Sequence, residues 1–336
     1  MASLDPLLAC PACASALRRT NGGLCCDTCP VDYRNENGID ALYAPTAWGD
    51  RTRYTDYEDV SGEVRAFYED KPFPDYDEFD TIESLAAKAR KGLFSRLLDE
   101  QIPLGSRIIE FGSGTSQLSL FLSARGRSVL AADMCLNSLR LGQQFAEANR
   151  LDDVQFAQMN LLQPAVAQDA FDLVICNGVL HHTCDTRAGF ESIARAVRPG
   201  GYIVFGLYHY WGRLITDTRR LIFRHSGGRF TFLDPNLRSQ VSSAAKKAAW
   251  FNDQYQHPHE TKHTIRECLG WLPSAGFQFV RSIPGTHLFK PFKADESLFA
   301  RSEPASGVEA LAKEMSLFFS GSQEGGFFII IARKTA

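Results

Sequence analysis

Arg107-Ile-Ile-Glu-Phe-Gly-Ser-Gly-Thr-Ser116 is the stretch from which the rest of the chain can be read. Three apolar residues, Ile108, Ile109 and Phe111, surround one acid, Glu110, and a glycine-rich turn follows. The next segment, Gln117 to Arg125, has the apolar face of a helix. Strand, tight turn and helix together lay a nucleotide-like ligand over the carboxyl end of a parallel strand. Gly112 and Gly114 let the backbone pass close to that ligand with no Cβ in the way. The dinucleotide pattern G-x-G-x-x-G needs glycine at position 117, where Gln117 stands. An acid two residues before the first glycine suits instead a ligand with an amino-acid tail, whose ammonium wants a nearby anion.

Further motifs follow in order. Asp133 ends the apolar run Ser128-Val-Leu-Ala-Ala132, at a place where a carboxylate can take both ribose hydroxyls. Val154 to Leu161 ends in Asn160-Leu161, Ala170 to His182 reads as a fourth strand and its loop, and Arg198-Pro-Gly-Gly201 leads into the strand Tyr202–Tyr208. Over residues 105–208 this series resembles the class I S-adenosylmethionine (SAM) methyltransferases, of the type 11-like kind. Ser116 stands where that family usually has a third glycine, and Asn160 where it often has an aspartate. The resemblance implies an α/β, Rossmann-like seven-stranded sheet with an antiparallel last strand, and SAM as cofactor. It places Glu110, Gly112, Ser113, Gly114, Asp133, Met134, Asn160, Leu161 and Asn177 around SAM, with Asn160 accepting the adenine amino group through its amide oxygen.

Composition narrows the field. The chain has 336 residues, 36 basic against 39 acidic, so nothing global draws it to nucleic acid or an anionic membrane. No apolar run reaches the length of a membrane span, and no signal pattern opens the chain, so a cytoplasmic protein with unpaired cysteines is expected. Five of nine cysteines lie in the first 29 residues. Cys10-Pro-Ala-Cys13 and Cys26-Asp-Thr-Cys29 are two C-x-x-C pairs that can offer four thiolates to one tetrahedral zinc. Their setting looks like the short zinc ribbon of tRNA-methyltransferase activator proteins. Four cysteines leave no open coordination position, so the zinc is read as structural. Cys25 could replace Cys26, but the spacing favours Cys26.

The organisation that results is a zinc ribbon at 1–45, a linker and lid at 46–80, and a methyltransferase domain at 81–336 with insertions at 208–264 and 284–324. In similar methyltransferases the segment before the core closes over the cofactor, which makes Tyr68, Phe73 and Tyr76 candidates for a roof; sealing of the core edge is the other reading. Thr81 to Gln101 has the spacing of one amphipathic helix. The arginine-rich start of the first insertion reads as a solvated face or an anion site. Its end carries His257, His259 and His263 beside Tyr255. Tyr255, His257 and His259, with His181 at the end of the fourth strand, are the candidate catalytic residues, one histidine acting as base for an oxygen or nitrogen acceptor. The alternatives are that they hold the insertion folded, or that His257, His259 and His263 hold a metal.

Methyl transfer to a small molecule is the favoured function, on an O, N or S nucleophile under an aromatic lid. An RNA methyltransferase gripping RNA with its ribbon, or an inactive SAM-fold partner protein, are the alternatives. Nucleic acid is disfavoured by the near-balanced charge. The identity of the acceptor and the oligomeric state are not encoded in any motif.

Overall fold

The structure is a computed structural model that describes residues 3–43, 55–70, 72, 76, 80–238, 244–290, 292–320 and 326–335. Of the expected linker and lid at 46–80, residues 46–54 and the roof candidate Phe73 lie outside the described residues, while 55–70 form a helix. Its strands are β1 (Arg18–Thr20), β2 (Gly23–Cys26), β3 (Val31–Glu36), β4 (Ile39–Ala41), β5 (Arg107–Phe111), β6 (Ser128–Asp133), β7 (Val154–Gln158), β8 (Phe171–Asn177), β9 (Val197–Tyr208), β10 (Phe277–Ile283) and β11 (Phe327–Lys334). The helices are α1 (Thr55–Asp70), α2 (Ile82–Lys91), α3 (Leu93–Gln101), α4 (Gln117–Ser123), α5 (Leu136–Ala148), α6 (Thr186–Ala194), α7 (Tyr210–Ser226), α8 (Pro235–Arg238), α9 (Ala244–Tyr255), α10 (Ile265–Trp271) and α11 (Gly307–Ser320).

The α/β core is the sheet β7-β6-β5-β8-β9-β11-β10. Strands β5 to β9 run parallel, and β11 enters antiparallel between β9 and β10. Both faces are covered, so β5 and β8 are nearly continuous apolar runs instead of alternating ones. Strand order reverses between β5 and β8, which is where an open α/β sheet parts at its carboxyl edge and admits a ligand. The segment Thr81–Gln101 is two helices, not one: Gly92 adopts an extended conformation between α2 and α3. A Thr81–Ser84 capping box starts the first of them.

The seven strands expected from the motifs extend to eleven, because the N-terminal ribbon joins the sheet. Strand β4 pairs parallel to β7, with Asp40 opposite Ala157 and Ala41 opposite Gln158. Ile39 is fully buried against Leu120, Leu139 and Phe156. The buried Asp40 carboxylate accepts from Arg19 and from Asn35, each at 2.8 Å, and Gln155 on β7 donates to Asp5 at 2.9 Å. A short bridge, Leu8 to Val166, fastens the chain further down.

The first insertion is closed at its stem by backbone bonds from Tyr210 and Thr261 to the carbonyls of His263 and His181. Inside it Arg213 is fully buried. Its guanidinium donates to both oxygens of Glu260, at 3.1 and 2.7 Å, and Arg220 adds a bond to the same carboxylate at 2.8 Å. Burial by itself would raise the Glu260 carboxyl, but the two arginines hold it down to about 2. Arg213 and Arg220 thus face inward onto an acid, which neither a solvated face nor a free anion site describes.

Because β4 covers the edge of β7, removing residues 1–43 leaves that strand's backbone and Phe156 uncovered. The truncated chain is expected to melt at a lower temperature and to scatter light increasingly with concentration. A melting curve and scattering profile equal to those of the full chain would show the ribbon to be an independent appendage.

Candidate active site

A cavity of about 490 Å³ lies across the carboxyl ends of β6, β5, β8 and β9, where Asp133, Glu110, Asn177 and Tyr208 line it. Adjacent strands sit about 4.8 Å apart, so β6 to β9 spans roughly 14 Å. That is room for two joined or abutting small molecules.

At the β5–β6 end the glycine turn forms a cradle. Gly112 has φ +69°, and a Cβ there would meet the Val179 side chain at 2.3 Å. Gly112 is therefore required first by the loop after β8, in addition to any ligand. Ser116, in place of a third glycine, keeps a left-handed φ of +66° as the N-cap of α4, a conformation that costs a non-glycine residue free energy. Glu110 is buried and accepts from Ser119 at 2.5 Å; burial pushes its carboxyl up to about 7. Asp133 accepts from the backbone amides of Gly114 (2.8 Å) and Cys135 (2.7 Å), and burial raises its pKa as well. Ser113, Met134, Leu161 and Asn177 complete this part of the lining.

Asn160 lines the cavity as well. Its amide oxygen accepts from the Leu162 backbone at 2.9 Å, while its Nδ2 is buried without a partner. That bond uses one of the oxygen's two lone pairs, and Asn160 presents an unpartnered donor to the cavity in addition to the acceptor expected from sequence. Asn177 Oδ1 is likewise buried and unpartnered.

The roof is helix α1, which turns Ser61, Val64 and Tyr68 into the cavity at i, i+3 and i+7. Glu69 fastens it by accepting from the Leu136 and Asn137 amides at the start of α5, at 3.0 and 3.1 Å. The Tyr68 hydroxyl donates to Asp253 of α9 at 3.1 Å. Tyr76 is not part of this roof: its ring stacks on Phe145 at 4.5 Å and its hydroxyl donates to the Thr115 carbonyl at 2.6 Å.

At the β8–β9 end the sequence expectation is rearranged. His181 is fully buried against Tyr208, with ring centroids 4.1 Å apart and both nitrogens unpartnered, and does not line the cavity. His182 does. Its Nδ1 lies 2.8 Å from the His259 carbonyl and must donate to it, which leaves the lone pair on Nε2. His257 stacks behind His182 at 3.6 Å and accepts the His259 amide on its own Nδ1 at 3.2 Å. Burial holds the His182 and His257 imidazoles down, to about 4 and about 3. His257 and His259 thus support His182 and stand outside the lining. Tyr255 is further off, donating to Asp234 at 2.6 Å and packed on Phe223. The lining acquires Asp253, Gln254, Trp250 and Phe327. They come from the insertion and the last strand, where no local motif marks them.

Comparison with known proteins agrees with this geometry. Residues 109–205 match the family model described as a methyltransferase domain. The chain carries a class I SAM methyltransferase domain. A demethylmenaquinone methyltransferase of Clavibacter sepedonicus is 28% identical over 176 residues, covering 52% of this chain and 67% of that protein. The tRNA 5-carboxymethoxyuridine methyltransferase of Escherichia coli is 27% identical over 187 residues, covering 55% of this chain and 64% of that one. Matches to the curated relatives span about half to two thirds of those proteins' lengths: 48%, 67% and 46% for three of them. The solved structure of PKMT2 from Rickettsia typhi in complex with AdoHcy aligns with TM-score 0.50 at 12% identity, over 77% of this chain and 55% of that one, a likeness of fold.

Outside the methyltransferase domain, the thiols of Cys10, Cys13, Cys26 and Cys29 converge, with all four sulfurs within 4.8 Å of one another. No other group of three or more such ligands occurs among the described residues, the three insertion histidines included. Cys25 points away, between Arg18 and Asp27.

The Gly112–Val179 contact yields a direct test. Gly112→Ala adds a Cβ at positive φ against Val179 and should cost about 2–4 kcal/mol. Paired with Val179→Ala, part of that loss should return, as read by denaturant unfolding. Strict additivity of the two changes would mean that the clash is not the reason for the glycine.

Proposed function

We propose that this protein transfers the methyl group of SAM to a small-molecule acceptor held under α1 and the first insertion. The single observation behind this is that one cavity joins the glycine cradle and its two acids to a chamber walled by the insertion. The residues fit the cofactor. Asp133 would take the ribose hydroxyls, with Glu110 near the ammonium of the methionine tail. Asn160 Nδ2 is a buried donor in search of an acceptor, and an adenine ring nitrogen suits it better than the exocyclic amine. SAM supplies an electrophilic methyl on a sulfonium; the protein's part is alignment and exclusion of water. Val64, Tyr68 and Trp250 close the chamber, and His182 Nε2 is a proton acceptor on its wall.

An RNA acceptor is the second reading, and the relative that acts on tRNA speaks for it. Against it stands the lining: Glu110, Asp133 and Asp253 are its charged residues, with no lysine or arginine among the described ones. A backbone phosphate near such a chamber meets repulsion. Among the described residues no helix is long and apolar enough to cross a membrane.

For the ribbon we propose a structural zinc on Cys10, Cys13, Cys26 and Cys29. Sulfur separations of 3.4, 3.4 and 3.7 Å fit the edge of about 3.8 Å that a tetrahedron with Zn–S near 2.3 Å requires. Elemental analysis should give one zinc per chain, lost in Cys26→Ser and kept in Cys25→Ser; the reverse pattern would reassign the ligand.

Two measurements address the cofactor. Asp133→Ala should weaken SAM at least tenfold by calorimetry, through lost ribose hydrogen bonds, and an unchanged isotherm would remove the assignment. The second uses pH. Burial raises Glu110 to about 7, so it is largely protonated below that pH and ionised above it. Binding of an ammonium selects the ionised form, so affinity should fall as pH drops. Between about pH 7.5 and pH 6 the expected loss is roughly eightfold. Glu110→Gln should flatten the dependence; persistence of the slope in that variant would assign it to another group.

A further inference from the structure

Asp253 is the one buried acid of the cavity that the cofactor leaves unexplained. It lies on α9, in the insertion, and lines the chamber on the β9 side, while Glu110 and Asp133 belong to β5 and β6. Only 7% of it is exposed. One oxygen accepts from Tyr68 at 3.1 Å and the other from Gln254 Nε2 at 2.8 Å. An ionised carboxylate has about four acceptor sites, so two remain for a ligand.

Among the described residues no cation pairs with it. Arg213 is the nearest buried guanidinium, but it lies behind the Tyr208 ring, 3.6 Å from the ring centroid, and is held by both oxygens of Glu260. His257, also close to Asp253, is kept neutral by burial. Burial raises the Asp253 carboxyl against the hydrogen bonds from Gln254 and Tyr68, so its ionised form gains from a cation bound beside it. The surrounding wall of Val64, Trp250 and Phe327 is apolar. Trp250 spends its indole N–H on Asp234 at 3.0 Å and offers the chamber no donor.

We propose that the methyl acceptor is an amine with an apolar body, bound as its ammonium against Asp253, which then takes the proton. This rests on the SAM reading given above. The ammonium nitrogen passes one proton to the Asp253 carboxylate. The freed lone pair forms the N–C bond to the methyl carbon, the carbon–sulfur bond breaks, and its electron pair stays on sulfur. Tyr68 and Gln254 are positioning residues that aim the carboxylate. Acceptors carrying a carboxylate or phosphate are refused by the same charge.

The test is binding of three probes that share a phenethyl body, phenethylamine, 2-phenylethanol and 3-phenylpropanoate, to the full chain loaded with S-adenosylhomocysteine. The amine should bind about tenfold more tightly than the alcohol, and the carboxylate more weakly than both. Asp253→Asn keeps an oxygen for Tyr68 but removes the charge, and should erase the amine's advantage while S-adenosylhomocysteine affinity stays unchanged. Equal binding of amine and alcohol, preference for the carboxylate, or no binding of any probe at millimolar concentration overturns the proposal, and the wild-type ranking decides even if the variant folds poorly. An Asp253→Asn protein that retains the wild-type ranking assigns Asp253 to holding α1 against α9. Failure of the SAM reading itself is distinguishable, because the wild-type chain would then not bind S-adenosylhomocysteine in the loading step.

Discussion

The reversal of strand order between β5 and β8 is the constraint on which the site depends. Two loops leave the sheet there in opposite directions, and the gap between them is the cavity. The loops are not independent. The turn after β5 passes so close to Val179, in the loop after β8, that only a glycine at 112 fits. That contact sets how far the crevice opens, and the cradle, the two acids and the β8 loop with His182 all take their places from it.

Above this frame the protein holds buried charges in pairs. The first insertion is organised by a buried guanidinium held on both oxygens of one carboxylate, with a second arginine alongside. Removing either partner of such a pair leaves a stranded charge, so the pair fixes one geometry more than it adds stability. Through Gln254, whose Oε1 accepts from Arg213 and whose Nε2 donates to Tyr208 and Asp253, that geometry reaches the chamber wall. The histidines belong to the same arrangement. The His257–His259 turn fixes the ring and tautomer of His182 by a stack and a carbonyl.

The ribbon is bound to the sheet by a different device. A short antiparallel hairpin ends in a strand that adds to β7, and Arg19, Asp40, Asp5 and Gln155 stitch the joint. Four converging thiols lie on the ribbon, and none of them lines the cavity. The cysteine cluster and the cavity therefore belong to different parts of the same sheet, one on the ribbon that covers its edge and the other at its carboxyl end.

The sequence by itself determined the α/β class, the ordered strands and the acids at their ends. These are local signals: apolar runs, glycine turns and a fixed spacing between Glu110 and Asp133. It also selected Cys26 over Cys25, since the x-x spacing of a thiolate knuckle is a short-range property. The tertiary structure decided what depends on chain segments far apart. Histidine density pointed to His257, His259 and Tyr255, yet packing gives the wall to His182 and Asp253, because a helix returning from an insertion meets the sheet at an angle no pattern encodes. Asn160 also shows a buried, unpartnered Nδ2, a donor that the sequence does not mark. The parallel pairing of β4 with β7, 117 residues apart at Asp40 and Ala157 (157 − 40), is equally invisible in a linear reading. Periodicity specifies which face of an element is apolar; which partner covers that face is settled only when the whole core closes.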